Sequence, residues 1–245
     1  EERDWTKLTV FLCACEQGHA ACAQLLIDAG CDVSACSKDE DTYADTGLML
    51  AINSTPEKIL NCETPSATDI ARVFVQAKAD LETRNCFGRT ALLAAIAACD
   101  ADTVEYLLTS GSDVDIMSFD DDGQNGLMIA VSEHYYPWSA CWDASQTIIR
   151  LLLQRPLDLP LEAACDISGV QGFTAFLIAC RYGNLPSVRQ LLDAGCDPTV
   201  RNFNGHTALD TAIESSQKKA VDLLKVPPSK LHPLTLLDSS VKSIR

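Results

Sequence analysis

Between Arg181 and Leu224 the chain reads Arg181-Tyr182-Gly183-Asn184, then Gln190-Leu191-Leu192-Asp193-Ala194-Gly195-Cys196-Asp197-Pro198, then Arg201-Asn202-Phe203-Asn204-Gly205-His206-Thr207-Ala208-Leu209. A helix stops at a glycine. A second helix, carrying a leucine pair, stops at Ala194-Gly195, and a polar turn then leads through Gly205-His206-Thr207 into another helix. Glycine supplies the left-handed backbone that ends a helix, and a Thr side chain can accept from the free N–H groups of a helix's first turn. Thr174, which opens the preceding unit in the same way, lies 33 residues before Thr207.

Working outward from this stretch, the same opening residue recurs near Thr9, Thr46, Thr90, Asn125, Thr174 and Thr207. Each precedes a short apolar helix, such as Ala91-Leu92-Leu93-Ala94-Ala95 or Ala175-Phe176-Leu177-Ile178-Ala179. Each is followed by an apolar pair: Leu25-Leu26, Val73-Phe74, Leu107-Leu108, Leu151-Leu152, Leu191-Leu192 and Leu223-Leu224. The spacing from opening residue to pair is 16 or 17 in four units and 26 or 27 in the second and fourth. Those two units therefore carry about ten extra residues between their helices, around Asn53–Ser66 and Ser132–Ala144. Gly30, Gly111 and Gly195 end second helices, with Lys78 in the same place in unit two. The link from Leu157 to Gly172 is longer than the others.

This pattern resembles the ankyrin repeat, whose unit is a β-turn plus two helices with a 33-residue period. None of the six openings keeps that family's Thr-Pro-Leu-His. The resemblance implies an all-α solenoid of helix-turn-helix units joined by β-turn fingers, with units at approximately 5–35, 36–83, 84–116, 117–163, 164–200 and 201–225. A tail, 226–245, follows the helix-breaking Val226-Pro227-Pro228. The chain begins without Met, so it is expected to be a piece of a longer protein.

Composition narrows the function. A formal charge of −15 argues against nucleic acid and anionic membrane surfaces as partners, since phosphate binding needs clustered Lys and Arg. No apolar run is long enough to span a bilayer. The 12 cysteines fall where the repeat takes small residues, Cys31 and Cys196 in one equivalent slot and Cys13 and Cys180 in first helices. They read as reduced packing residues, which places the chain in the cytoplasm or another reducing compartment.

Candidate chemistry has a plain structural reading in each case. Cys13, Cys15, His19 and Cys22 look like metal ligands, but a helix break at Gly18-His19 parts them, so packing is expected. Asp120-Asp121-Asp122-Gly123 lacks the spaced acids and terminal Glu of a calcium loop. His134 near Cys141 and His206 near Asp210 have neither a nucleophile elbow nor an orienting third group. No metal, cofactor or catalytic set is therefore assigned.

Ankyrin-like domains generally bind proteins, so the resemblance implies a non-enzymatic scaffold or adaptor with its partner on the concave surface of fingers and first helices. Two acidic fingers, Asp39-Glu40-Asp41 and Asp120-Asp121-Asp122, favour a basic segment of the partner. The further candidate contacts are Tyr43, Phe87, Arg89, Phe203 and His206 in the fingers, and Tyr135, Tyr136, Trp138 and Trp142 in the fourth unit's insertion. Those insertion aromatics are either a local hydrophobic lid or partner anchors. Two other readings stand beside the adaptor: the regulatory or substrate-recruiting array of a larger enzyme, and a structural subunit of a large assembly.

Overall fold

The computed structural model describes residues 8–37, 44–54, 66–132, 141–154, 161–167 and 170–225. Helices come in pairs. The first members are α1 (Val10–Glu16), α3 (Gly47–Asn53), α5 (Ala91–Ala97), α7 (Gly126–Ser132), α9 (Ala175–Tyr182) and α11 (Ala208–Glu214). The second members are α2 (Ala20–Asp28), α4 (Ala67–Gln76), α6 (Ala101–Thr109), α8 (Trp142–Leu153), α10 (Leu185–Asp193) and α12 (Lys218–Leu224). The fold is all-α with ankyrin-type helix-turn-helix units, as the sequence implies.

Each first helix starts at its expected cap. Thr9, Thr46, Thr90, Thr174 and Thr207 accept through their hydroxyls from the amide three residues on, at 3.2–3.4 Å. Asn125 Oδ1 accepts from Met128 N at 2.9 Å. Helices of seven or eight residues are unstable alone. Here burial holds them: Gly47–Ile52, Ala91–Ile96, Gly126–Val131 and Ala175–Cys180 are buried at every position. The second helices bury one stripe, as Ile70, Val73 and Phe74 do in α4 and Val104, Leu107 and Leu108 in α6.

The chain divides into two compact units, Glu1–Asp121 and Asp122–Arg245. In the first, α1, α3 and α5 pack in one layer and α2, α4 and α6 in the other. In the second, α7, α9 and α11 form one layer and α8 packs on α10. Helices of the first unit approach closely at Gly47, where an added Cβ would lie 2.8 Å from Cys15 Sγ of α1 in the same layer and 3.0 Å from Phe74 Cζ of α4 in the other.

Two local features go beyond what the sequence shows. Lys78 takes a left-handed φ of 53°, where Gly30, Gly111 and Gly195 stand in other units. The long link before α9 carries a hairpin, β1 (Cys165–Ile167) against β2 (Val170–Phe173), antiparallel with Ile167 opposite Val170. Gly172 is left-handed there, and a Cβ would come 2.7 Å from Phe203 N, so this hairpin and the Arg201–His206 finger are in direct contact. Three- and four-residue strands with an internal glycine show no alternating pattern, which is why the sequence reads only as a link.

Candidate functional site

In the first unit the finger Arg84–Arg89 is built around Asn85. Its amide donates to the Arg89 carbonyl at 3.1 Å, and Gly88 N donates to the Asn85 carbonyl at 2.9 Å, closing a turn. Asn85 Oδ1 accepts from Phe87 N and Arg89 N, both at 3.0 Å. Arg84 Nη1 donates to the Gly88 carbonyl at 3.0 Å and to the Phe119 carbonyl of the following finger at 2.5 Å. Such bonding gives a rigid loop tip. On it Phe87 is 48% exposed.

The same turn is tied to its neighbours on both sides. Asn85 Nδ2 donates at 2.9 Å to Asp45, which also accepts from Asn53 Nδ2 at 2.8 Å. Asp45 is buried, and that burial pushes its carboxyl above the usual range, while the Asn85 and Asn53 amides act in the opposite sense. On the other side Arg89 Nε donates to Asp120 Oδ2 at 3.4 Å. The Arg89 guanidinium also lies 5.9 Å from the centre of the Phe87 ring.

The second unit repeats this construction at Arg201–His206. Asn202 N donates to the His206 carbonyl at 3.0 Å, and Asn202 Oδ1 accepts from Asn204 N at 3.0 Å and His206 N at 2.9 Å. Arg201 Nη1 donates to the Gly205 carbonyl at 2.6 Å. Phe203 stands on this tip, 68% exposed.

The expected contacts therefore separate. Phe87 and Phe203 are exposed at finger tips. Asp120 points inward: its side chain is 1% exposed and meets Arg89. Assigning Asp120 and Arg89 to a partner contact is corrected to this extent, because a carboxylate taken out of water is favoured by a facing cation and the neighbouring finger supplies one. Asp121 and Asp122 are exposed. His206 Nδ1 lies 3.1 Å from Glu214 Oε1 on α11, while Asp210 caps α11 by accepting from Thr207 N at 2.9 Å. Trp142 is the half-buried first residue of α8, not part of an inserted loop. Asp39, Glu40, Asp41, Tyr43, Tyr135, Tyr136 and Trp138 lie outside the described residues. Asn85, Asn202 and Asp45 escape a reading of the sequence as site residues, although the repeated Arg-Asn-x-x-Gly of the two fingers is the available signal.

Acid–base and nucleophilic chemistry find little to work with among the described residues. Burial pushes the Cys15 thiol up to about 12, and burial with the Glu162 and Asp197 charges does the same for Cys196. Burial raises the Cys180 thiol as well. Cys13 and Cys15 lie on α1 and Cys22 on α2, either side of the turn at Gly18. No described group of three His, Cys, Asp or Glu residues could hold a metal ion. No helix among the described residues is long and apolar enough to cross a membrane.

Comparison with known proteins agrees with the architecture. A family model described as ankyrin repeats (three copies) matches residues 59–156 and 138–230, and a single ankyrin repeat model matches residues 7–38. The B-cell lymphoma 3 protein homolog of Mus musculus is 27% identical over 207 residues, 84% of this chain but only 39% of the mouse protein. Among solved structures, the complex of the predatory endopeptidase Bd0816 of Bdellovibrio bacteriovorus with immunity protein Bd3460 contains a similar chain. It has a TM-score of 0.66 and 25% identity, covering 92% of this chain and 100% of that one. The ankyrin repeat protein EF0377 shares the fold at a TM-score of 0.67 and 20% identity, over 88% and 96% of the two chains. With repeat models matched over most of its length and the capped helix pairs in place, this chain belongs to the ankyrin repeat family, whose members are generally protein–protein interaction modules.

Proposed function

We propose that this chain is a non-enzymatic scaffold or adaptor that binds a protein partner through its fingers, with Phe87 and Phe203 as apolar anchors. One observation carries this reading. Each large aromatic is exposed yet stands on a turn closed by an Asn side chain and an Arg side chain. Binding to an ordered tip loses little conformational entropy, which is the condition for a hot spot. The exposed Asp121 and Asp122 favour a basic segment of the partner beside the apolar contact. Cys15, Cys99, Cys165, Cys180 and Cys196 are buried as the packing reading expects. Cys22 and Cys86 are exposed, and thiols left unoxidised at such exposed places favour a reducing compartment.

The test is an affinity measurement with the captured physiological partner. Phe87→Ala or Phe203→Ala is expected to weaken binding by about 2 kcal/mol, roughly 30-fold, with helical content unchanged. Unaltered affinity for both variants would remove the aromatic anchors. Asp121→Asn with Asp122→Asn is expected to weaken binding at low salt and flatten its salt dependence. An unchanged salt slope would remove the basic segment alone.

A second reading makes the partner an enzyme, or makes this chain the regulatory array of one. It is supported by the likeness to a chain from an endopeptidase–immunity protein complex. Enzyme activity that co-purifies with the full-length protein and changes on adding the isolated array would favour it. A role as structural subunit of a larger complex predicts instead a stable co-purifying assembly.

A further inference from the structure

Each compact unit seats one finger residue on a glycine that precedes it by a whole repeat. At Gly88 an added Cβ would lie 2.7 Å from Asp121 N, with the Asp121 carboxylate closer still. At Gly172 it would lie 2.7 Å from Phe203 N, with the Phe203 ring closer still. Asp121 stands four residues before the cap Asn125, and Phe203 four before the cap Thr207. Both glycines are left-handed, at φ 70° and 68°, and a side chain on either would unseat the residue above it. The seat displays a carboxylate in the first unit and an aromatic ring in the second, and both are exposed.

Beside the first seat the loop tip already holds a guanidinium. Asp120 and Asp121 are adjacent but face opposite ways, Asp120 inward and Asp121 into solvent. Arg89 pairs with Asp120 at 3.4 Å while its guanidinium lies over the Phe87 ring, 5.9 Å from the centre. Asp121 is joined to the same ring's residue. Its amide donates to the Phe87 carbonyl at 3.0 Å, and its carboxylate lies on Gly88, the residue after Phe87. Among the described residues, however, no cation pairs with Asp121. Arg89 is committed to Asp120, and Arg84 is turned back onto the Gly88 and Phe119 carbonyls.

We propose that Asp121 and the exposed side of the Phe87 ring together take one arginine side chain of the protein partner, its guanidinium forked on the carboxylate and stacked on the ring. This rests on the reading of the fingers as the binding surface, and adds which side chain of the basic segment enters. A planar guanidinium bonds a carboxylate through two N–H groups while lying on an aromatic face, and an ammonium does not do both. Charge favours this unit: residues 1–121 hold 22 Asp and Glu against 8 Lys and Arg, whereas residues 122–245 hold 12 against 11. The second seat has an aromatic ring in place of the carboxylate, so no arginine is expected there.

The probe is N-acetyl-arginine amide, titrated into the isotope-labelled whole chain and followed by amide chemical shifts, with N-acetyl-lysine amide as the comparison. The arginine amide is expected to shift Phe87, Gly88 and Asp121, to leave Asn202, Phe203 and Gly205 unmoved, and to bind about fivefold or more tighter than the lysine amide. Asp121→Asn is expected to weaken it about tenfold and Phe87→Leu about threefold, with the spectrum elsewhere unchanged as the sign that both variants are folded. Asp102→Asn, which removes the same charge from α6, is expected to leave the affinity unaltered. Equal binding of the two amides would overturn the arginine site, as would unaltered affinity in Asp121→Asn or Phe87→Leu, or no shift at the tip. None of these outcomes touches the fingers as a binding surface, which is read separately from the partner's affinity for Phe87→Ala and Phe203→Ala.

Discussion

Gly47 shows how a single missing methyl sets the distance between two helices. Gly47→Ala should gain about 1 kcal/mol of helix propensity, yet the new Cβ would press on Cys15 and Phe74 at 2.8 and 3.0 Å. Overpacking of this kind costs about 1–3 kcal/mol, so a lower urea midpoint at unchanged slope is expected. Lys78 is the opposite case. Its left-handed φ of 53° is strained for a residue with a Cβ, and its side chain is exposed, so Lys78→Gly is expected to stabilise by about 1 kcal/mol in the same assay. Asp45 carries a pH signature. Its folded pKa is raised by burial, so the stability it supports is present below the unfolded value near 3.8 and is lost as pH rises through the folded one. Asp32, Asp197 and Asp210, held below 3.8 by Ser34, Thr199 and Thr207, act with the opposite sign and lose stability as pH falls. The stability of the wild-type protein minus that of Asp45→Asn should accordingly be greater near pH 4 than at pH 7, and a carboxyl NMR titration should place the Asp45 midpoint above 3.8.

At the scale of elements, helices and fingers are held by different kinds of bond. Each first helix depends on a cap contributed three residues away, so Thr90→Ala or Thr174→Ala should cost about 1 kcal/mol. These caps were legible in the sequence because they are local. The fingers depend on bonds between successive units: Asp45 to Asn85 is a separation of 40 residues and Arg89 to Asp120 one of 31. Removing the Arg89 side chain takes the cation away from a buried carboxylate, and about 2–3 kcal/mol should be lost. Much of that loss should be recovered in Arg89→Ala with Asp120→Asn, because the second change removes the buried charge. A simply additive pair would show that the two residues do not act as a unit. The hairpin before α9 belongs here too. Its strands are too short for a period, but the close approach of Gly172 to Phe203 ties it to the next finger.

Across the whole molecule, charge is the influence with the longest reach. A formal −15 on 245 residues repels itself, so the midpoint of thermal unfolding should rise as salt is raised from about 0.01 M to about 0.15 M, where the screening length falls from roughly 30 Å to 8 Å. Affinity for a basic partner should fall over the same range, so the two effects are separable by sign. Sequence alone determined the helix pairs, their caps and the family, because these rest on spacing and on contacts within a few residues. Tertiary structure alone decided which finger residues face outward. Phe87 and Phe203 stand in the sequence as finger contacts beside Arg89 and His206, and only the turns beneath them show that these two aromatics are held in water. Asp120 reads like its acidic neighbours until Arg89 arrives from the adjacent finger. The physical reason is that burial is a property of the neighbours a side chain acquires on folding, and those neighbours lie a whole repeat away.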